Sequence, residues 1–321
     1  VRLNELSKMI FSWALVGQLA SFSCDAFAVI AAKSTVLLRA DNALNRLRID
    51  PKGRFLAYIG DNGLGLSVLD LKTKNIFQVT DAQVGASFVW SPDGFRLFYR
   101  EQVLDAVGNL KTMVKAFDCA LVQSVLLDEI ATASGFLTLD PRDLRLQLLS
   151  PKGVRTKRIY FPGERLARWQ VAQRIELGKW LATQHGMLWL TQGGFAMRRV
   201  EDDGSGIESF DISPTGDSVV WATNQGRVYL SQNGKPATMI ANGRDPRWHP
   251  DQPKIVFAGA RMVGNKIIGY DLRLADMQGA GPFLNATQYS DERWPQWQPK
   301  SDRIIYTIDK TTDAYLMDVT P

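Results

Sequence analysis

The sequence predicts an all-β fold, a single β-propeller, on three observations. A short turn element recurs along the chain. Its copies stand about 41 residues apart or at a multiple of that step. The segments between copies alternate apolar and polar residues with the period of strands, and no convincing amphipathic helix follows residue 33. The element is an apolar or aromatic residue, a polar residue, proline and one or two turn residues. It reads Ile49-Asp50-Pro51-Lys52-Gly53, Trp90-Ser91-Pro92-Asp93-Gly94, Ile212-Ser213-Pro214-Thr215-Gly216, Trp248-His249-Pro250-Asp251 and Trp297-Gln298-Pro299-Lys300. Proline fixes φ at the first corner of such a turn, and glycine supplies the positive φ that follows.

The chain opens with Arg2 and Lys8, an apolar run from Met9 to Phe22, and Ser23-Cys24-Asp25-Ala26-Phe27-Ala28, which ends in an A-x-A pattern. These are the parts of a secretory signal, so residues 1–28 are expected to be a signal peptide cut after Ala28. A retained N-terminal anchor is the alternative, although the run is shorter than the roughly 20 residues a spanning helix needs. Ser21-Phe22-Ser23 before Cys24 makes a poor lipidation signal. Residues 29–321 are then the propeller, exported to the periplasm or held on the outer side of the inner membrane.

Thr35–Ala40 is a strand with no partner of its own at the start of the chain. Trp294–Gln298, Arg303–Ile308 and Ala314–Val319 are three strands at the end. Joining them completes the last blade, closes the ring and removes a sheet edge that would otherwise invite aggregation. Phe55–Ile59, Leu66–Leu71 and Ile76–Val79 follow the first turn element. The prolines of the element are 41, 122, 36 and 49 residues apart, and 122 is three steps, so two units with eroded turns are expected between Pro92 and Pro214. One covers about 125–161, with strands at Phe136–Asp140, Leu144–Leu149 and Val154–Phe161. The other contains Leu181–Gln192, which matches Trp221–Gln232 in pattern 40 residues later, and its first strand is expected at Ala167–Gln173. The count is seven blades. Six is the alternative, because 103–165 holds few clear strands for two complete blades.

Of 321 residues, 45% are hydrophobic and 22% charged, an ordinary globular composition. Two histidines and two cysteines exclude multi-histidine metal enzymes, zinc modules and a disulfide scaffold. The net charge of +5 permits an acidic partner without demanding one. No G-x-S-x-G elbow occurs, and His185 and His249 fall in different units with no evident nucleophile. Asp61-Asn62-Gly63 and Glu201–Gly206 lack the alternating oxygen spacing of a calcium loop and read as solvated turns. No catalytic residue, metal site or cofactor is expected, and the chain reads as a non-enzyme.

Trp90, Trp248 and Trp297, with Ile49 and Ile212, share one repeat position and should pack between blades. Trp294 is off that register and is expected to be an exposed aromatic. The flanking positions Arg48, Val89, Asp211, Arg247 and Gln296 alternate to the other strand face, toward the channel or across the blade. Arg46, Glu208, Arg244, Asp245 and Arg293 precede them at one mouth of the channel. The candidate binding set is Arg46, Arg48, Arg244, Asp245, Arg247, Arg293 and Trp294, suited to an anionic group or an acidic peptide. The competing reading is that arginines and carboxylates of adjacent blades simply pair with each other. Residues 142–174 carry nine Arg/Lys against Asp143 and Glu164. Arg142, Arg145, Lys152, Arg155, Lys157, Arg158, Arg165 and Arg168 form a candidate docking face for an acidic protein or anionic lipid head groups, or else a solvated outer edge. Export removes nucleic acid as a partner.

Trp90-Ser91-Pro92-Asp93-Gly94 followed by Arg96-Leu97-Phe98-Tyr99 resembles the repeat of TolB-like propellers, a branch of the WD40-like repeats. The copies at Ile212–Gly216, Trp248–Asp251 and Trp297–Lys300 match more loosely. The resemblance covers nearly all of the chain after residue 34 and departs from the pattern at 103–165. It implies blades of four strands with the first lining the channel. Such propellers serve as periplasmic scaffolds, as lids on peptidases and as the frame of some lyases, so the likeness speaks to fold more than to function. The expected function is a non-catalytic scaffold or accessory subunit that binds a protein of the bacterial envelope. An enzyme or small-anion binder using the channel mouth is one alternative, and a propeller capping a membrane complex is another.

Overall fold

The computed structural model describes residues 29–319 apart from 31–32, 61–62, 86–87, 131–135, 141–144, 151–152, 159–169, 172–178, 185–186, 193–194, 200–206, 216–217, 233–234 and 285–289, and between 130 and 206 it places backbone with only the side chains of Leu137 and Leu146. These residues form 27 β-strands and no α-helix. Strands β1 (Val29–Ile30) and β2 (Lys33–Arg39) lie before the repeats. The first unit is β3 (Leu44–Ile49), β4 (Phe55–Gly60), β5 (Leu64–Asp70) and β6 (Ile76–Gln83). The second is β7 (Phe88–Trp90), β8 (Arg96–Leu104), β9 (Leu110–Asp118) and β10 (Gln123–Ile130).

The third unit is β11 (Phe136–Asp140), β12 (Arg145–Ser150), β13 (Gly153–Arg158) and β14 (Gln170–Val171), and the fourth holds β15 (Lys179–Gln184), β16 (Met187–Gln192) and β17 (Phe195–Arg199). In the fifth, β18 (Ile207–Ile212), β19 (Ser218–Thr223) and β20 (Arg227–Gln232) pair with the first half of β21 (Thr238–Trp248). The second half of β21 opens the sixth, with β22 (Lys254–Val263), β23 (Lys266–Asp276) and β24 (Ala280–Leu284). The seventh is β25 (Glu292–Gln298), β26 (Arg303–Ile308) and β27 (Asp313–Asp318). Strands within each unit are antiparallel neighbours in chain order.

The opening strand completes the last unit, as the sequence predicts: β2 pairs antiparallel with β27, Thr35 opposite Leu316. One expectation fails. Gln170 and Val171 do not begin the fourth unit. They pair with Thr156 and Arg155 and so close the third. The stretch 103–165, which reads as poor in strands, carries the end of β8 and all of β9 to β13.

The second strands β4, β19, β22 and β26 are mostly apolar because both their faces are buried. Along β4, Phe55, Ala57 and Ile59 pack with Phe88, Trp90 and Tyr99 of the second unit. Leu56 and Tyr58 turn the other way, onto Leu38, Trp294 and Ile305 of the seventh. The same alternation places Phe98 with Leu137 and Leu146, Val220 with Trp248 and Phe257, and Val256 with Trp297 and Ile304. Each seam buries several large side chains at roughly 1.5–3 kcal/mol apiece. Trp90, Trp248 and Trp297 fill the first–second, fifth–sixth and sixth–seventh seams, as predicted.

In four of the five elements the polar residue before proline is a turn cap, and the exception is Gln298, whose buried Oε1 has no partner. The Asp50 carboxylate accepts from the backbone N–H of Lys52, Arg54 and Phe55 at 2.5–2.6 Å. Ser91 and Ser213 accept from Arg96 and Ser218 at 3.0 Å. His249 holds the equivalent place, with Nδ1 accepting from Asp251 at 3.0 Å and its ring edge-on to Trp297. The turns also nest between units: a Cβ on Gly53 would meet Pro299 at 3.4 Å, and one on Gly94 would meet the Asp50 carboxylate at 2.6 Å.

Candidate functional site at the start of the inner strands

The first strands of neighbouring units lie side by side: β18 against β21, β21 against β25, β25 against β3, and β7 against β11. Trp90 Nε1 donates to Arg48 O at 3.0 Å and joins β7 to β3. Four of these inner strands carry a β-bulge at the same step, before the turn element. The register slips between Asn45 and Leu47, Ile207 and Ser209, Arg244 and Arg247, and Arg293 and Gln296. At three bulges a non-glycine residue has positive φ: Arg46 at 49°, Asp245 at 54° and Trp294 at 54°. A bulge re-aims side chains at the end of a strand, and such backbone persists only where its surroundings enforce it. The bulges gather charged residues from the fifth, sixth, seventh and first units.

Most of these charges are spent on each other. Arg293 Nε donates to Asp245 Oδ2 at 2.8 Å, and Asp245 is fully buried. Glu208 Oε1 lies 3.5 Å from Arg244 and 4.0 Å from Arg293. Burial alone would lower the Arg293 pKa, yet the charge and hydrogen bond of Asp245, with Glu208 beyond, raise it above the ordinary value. Burial, and then the Asp245 charge, lifts Glu208 above the carboxylate range. Asp211 is raised by burial too, against the opposing pull of Arg247 and the hydrogen bond its Oδ2 accepts from Trp248 N at 2.8 Å. The competing reading of the sequence therefore holds for Arg244, Asp245 and Arg293, which brace one unit against the next.

Trp294 corrects an expectation: it is 6% exposed. Its ring joins the cluster of Leu44, Leu47 and Tyr58 between the seventh and first units, because the bulge carries it off the repeat register and into that seam. Its faces carry cations, with the guanidinium carbons of Arg46 and Arg293 at 4.6 and 5.1 Å from the ring. Tyr270 on β23 does the same for Arg244 and Arg293 at 5.4 and 5.6 Å. Sequence reasoning missed Tyr270. It lies two strands from the inner one, where no repeat register points to the channel.

Arg46, Arg48 and Arg247 differ from the braced arginines. Arg247 donates only to the backbone carbonyls of Phe210 and Pro246, at 3.2 and 2.9 Å, and its buried Nε has no partner. The Arg48 guanidinium has no hydrogen bond or ion pair among the described residues, and burial followed by the charge of Arg247 brings its pKa down to about 9. Burial lowers Arg46 as well.

The basic docking residues are only partly placed. Arg145, Arg155, Lys157 and Arg158 lie on β12 and β13, with Arg145 opposite Arg158. Arg142, Lys152, Arg165 and Arg168 lie outside the described residues, as do His185, Asp61, Asn62 and 201–206.

No protein-family model matches the chain. No curated protein matches it either. Among solved structures it is similar to the crystal structure of the β-propeller domain of Myceliophteria thermophila Cps50 (Swd1), at 12% sequence identity and a TM-score of 0.59, over 90% of this chain and 100% of that one. The seams, the nested turns and this likeness agree: the fold is a β-propeller.

Proposed function

We propose that the chain is a non-catalytic, seven-bladed propeller of the TolB-like type, exported to the bacterial envelope, that docks a protein on the face where its inner strands begin. One observation carries this reading. The hairpins joining β8 to β9 and β22 to β23 run past the ends of their inner strands on that face and present apolar side chains to solvent. Leu104, Val107 and Leu110 are 70%, 81% and 57% exposed, and Val263 and Ile268 are 64% and 55% exposed. Apolar tips on the face that also carries the inner arginines suit a partner with apolar anchors and acidic flanks. The TolB-like assignment rests on the Trp90–Gly94 repeat and its looser copies. Cleavage after Ala28 rests on the A-x-A pattern of Ala26-Phe27-Ala28 behind the apolar run.

Capture from envelope extracts with the tagged full chain tests this, run beside a Val107→Asp/Val263→Asp variant. The reading expects one reproducible partner that the variant loses while its Tm is unchanged. Equal capture by the variant, or no reproducible partner, contradicts it. N-terminal sequencing of the exported chain is expected to start at Val29, and retention of residues 1–28 contradicts simple secretion.

A further inference from the structure

Arg46, Arg48 and Arg247 act on one another as like charges, and Asp211 is the carboxylate that opposes Arg48 and Arg247, which leaves a surplus of two positive charges. The pairing is uneven. Asp245 and Glu208 are consumed by Arg293 and Arg244. Asp211 is bonded to the Trp248 backbone. Arg46, Arg48 and Arg247 are left, and among the described residues none has a carboxylate within ion-pair distance. Arg247 is 7% exposed, whereas Arg46, Arg48 and Asp211 are half-buried, so solvent reaches part of the group. Enclosed like charges destabilise a fold unless something offsets them, and structures keep such strain mostly where a ligand relieves it.

We propose that Arg46, Arg48 and Arg247 hold a small doubly charged oxyanion, a phosphate monoester or a dicarboxylate, between the first and sixth units. The charge class follows from the surplus of two. The oxyanion class follows from the donors, since guanidinium forks match planar or tetrahedral oxygen pairs. Arg247 is oriented by its two carbonyl contacts, which leave Nε to donate. Arg46 lies over the Trp294 face, which fixes its position without neutralising it. Arg48 is held by nothing but its own backbone, whose carbonyl is tied to Trp90. Burial, and then the Arg247 charge, hold its pKa down at about 9 against the pull of Asp211. The test reads small-anion binding and the docking test reads loss of a protein partner on changing the hairpin tips, so failure of one is distinguishable from failure of the other.

The test is thermal unfolding and calorimetric titration of the full chain with inorganic phosphate and, in a second arm, succinate, at neutral pH and constant chloride. The wild type is expected to show a saturable rise in Tm and one binding site for at least one of them, and the stronger arm identifies the ligand class. Arg48→Gln is expected to raise Tm in anion-free buffer, because a like charge is removed, and to weaken anion binding about tenfold or more. Arg244→Gln, which removes a braced arginine, is expected to keep the affinity. Arg247→Gln loses two carbonyl contacts and can unfold for that reason, so Arg48→Gln decides. The proposal is overturned if neither anion binds saturably, if Arg48→Gln binds as the wild type does, or if Arg48→Gln lowers Tm and leaves the anion response in place.

Discussion

Arg293 and Asp245 flank and occupy equivalent bulges of adjacent inner strands, and the guanidinium of one donates to the carboxylate of the other at 2.8 Å. The contact joins β25 to β21 at a depth where Asp245 has no exposure. A pair so placed is weak as a source of net stability, but removing one partner leaves a buried charge alone. Asp245→Ala is therefore expected to cost about 3–5 kcal/mol. Asp245→Ala with Arg293→Met should cost less than the two single changes added together. Chemical denaturation of the four proteins measures this, and strict additivity would contradict it.

The nested turns give a second prediction. Gly94 has φ +78°, and a Cβ there would meet the Asp50 carboxylate that caps the preceding turn. Gly94→Ala is expected to destabilise by about 1–3 kcal/mol through strain and displacement of that cap. Asp50→Ala should cost a similar amount, while Asp50→Ser recovers part of it, since Ser91 and Ser213 cap the same turn elsewhere. A Tm for Asp50→Ser no higher than for Asp50→Ala would refute the shared role.

Asp271, on β23, gives a pH dependence. Burial raises its pKa from 3.8 to about 6 although Arg261 opposes the shift, and Asp291 adds to it. The folded chain holds this proton more tightly than the unfolded chain, so the contribution to stability is full below about pH 4 and is lost as pH rises toward 6. Asp271→Asn lacks that dependence. The stability of the wild type minus that of the variant should fall by up to about 3 kcal/mol across the window. Parallel stability curves would contradict the assignment.

Much of this was legible in the sequence. Proline turns repeat because most units reverse the chain at the same depth, and Trp90, Trp248 and Trp297, with Ile49 and Ile212, recur because that position faces a seam. The inner arginines were found by counting back from those prolines. What counting could not show is which arginines are spent. That depends on bulges that rotate Asp245 and Trp294 off the regular alternation, and on Tyr270, which arrives from a different strand. The end of the third unit was misplaced because Gln170 and Val171 carry no turn element to fix their partner.

Strand β2, near the start of the chain, and β27, near its end, share one sheet. Thr35 and Leu316 stand directly opposite each other in the β2–β27 pair. The native Cys119 is buried, with its thiol pKa pushed up to about 12 by burial, and will not compete. A Thr35→Cys/Leu316→Cys variant, made with Cys24→Ser, is expected to form an intramolecular disulfide under mild oxidation when folded, detected by mass and by gel mobility. Absence of that bond in the folded chain, or its equal formation in denaturant, would contradict the account.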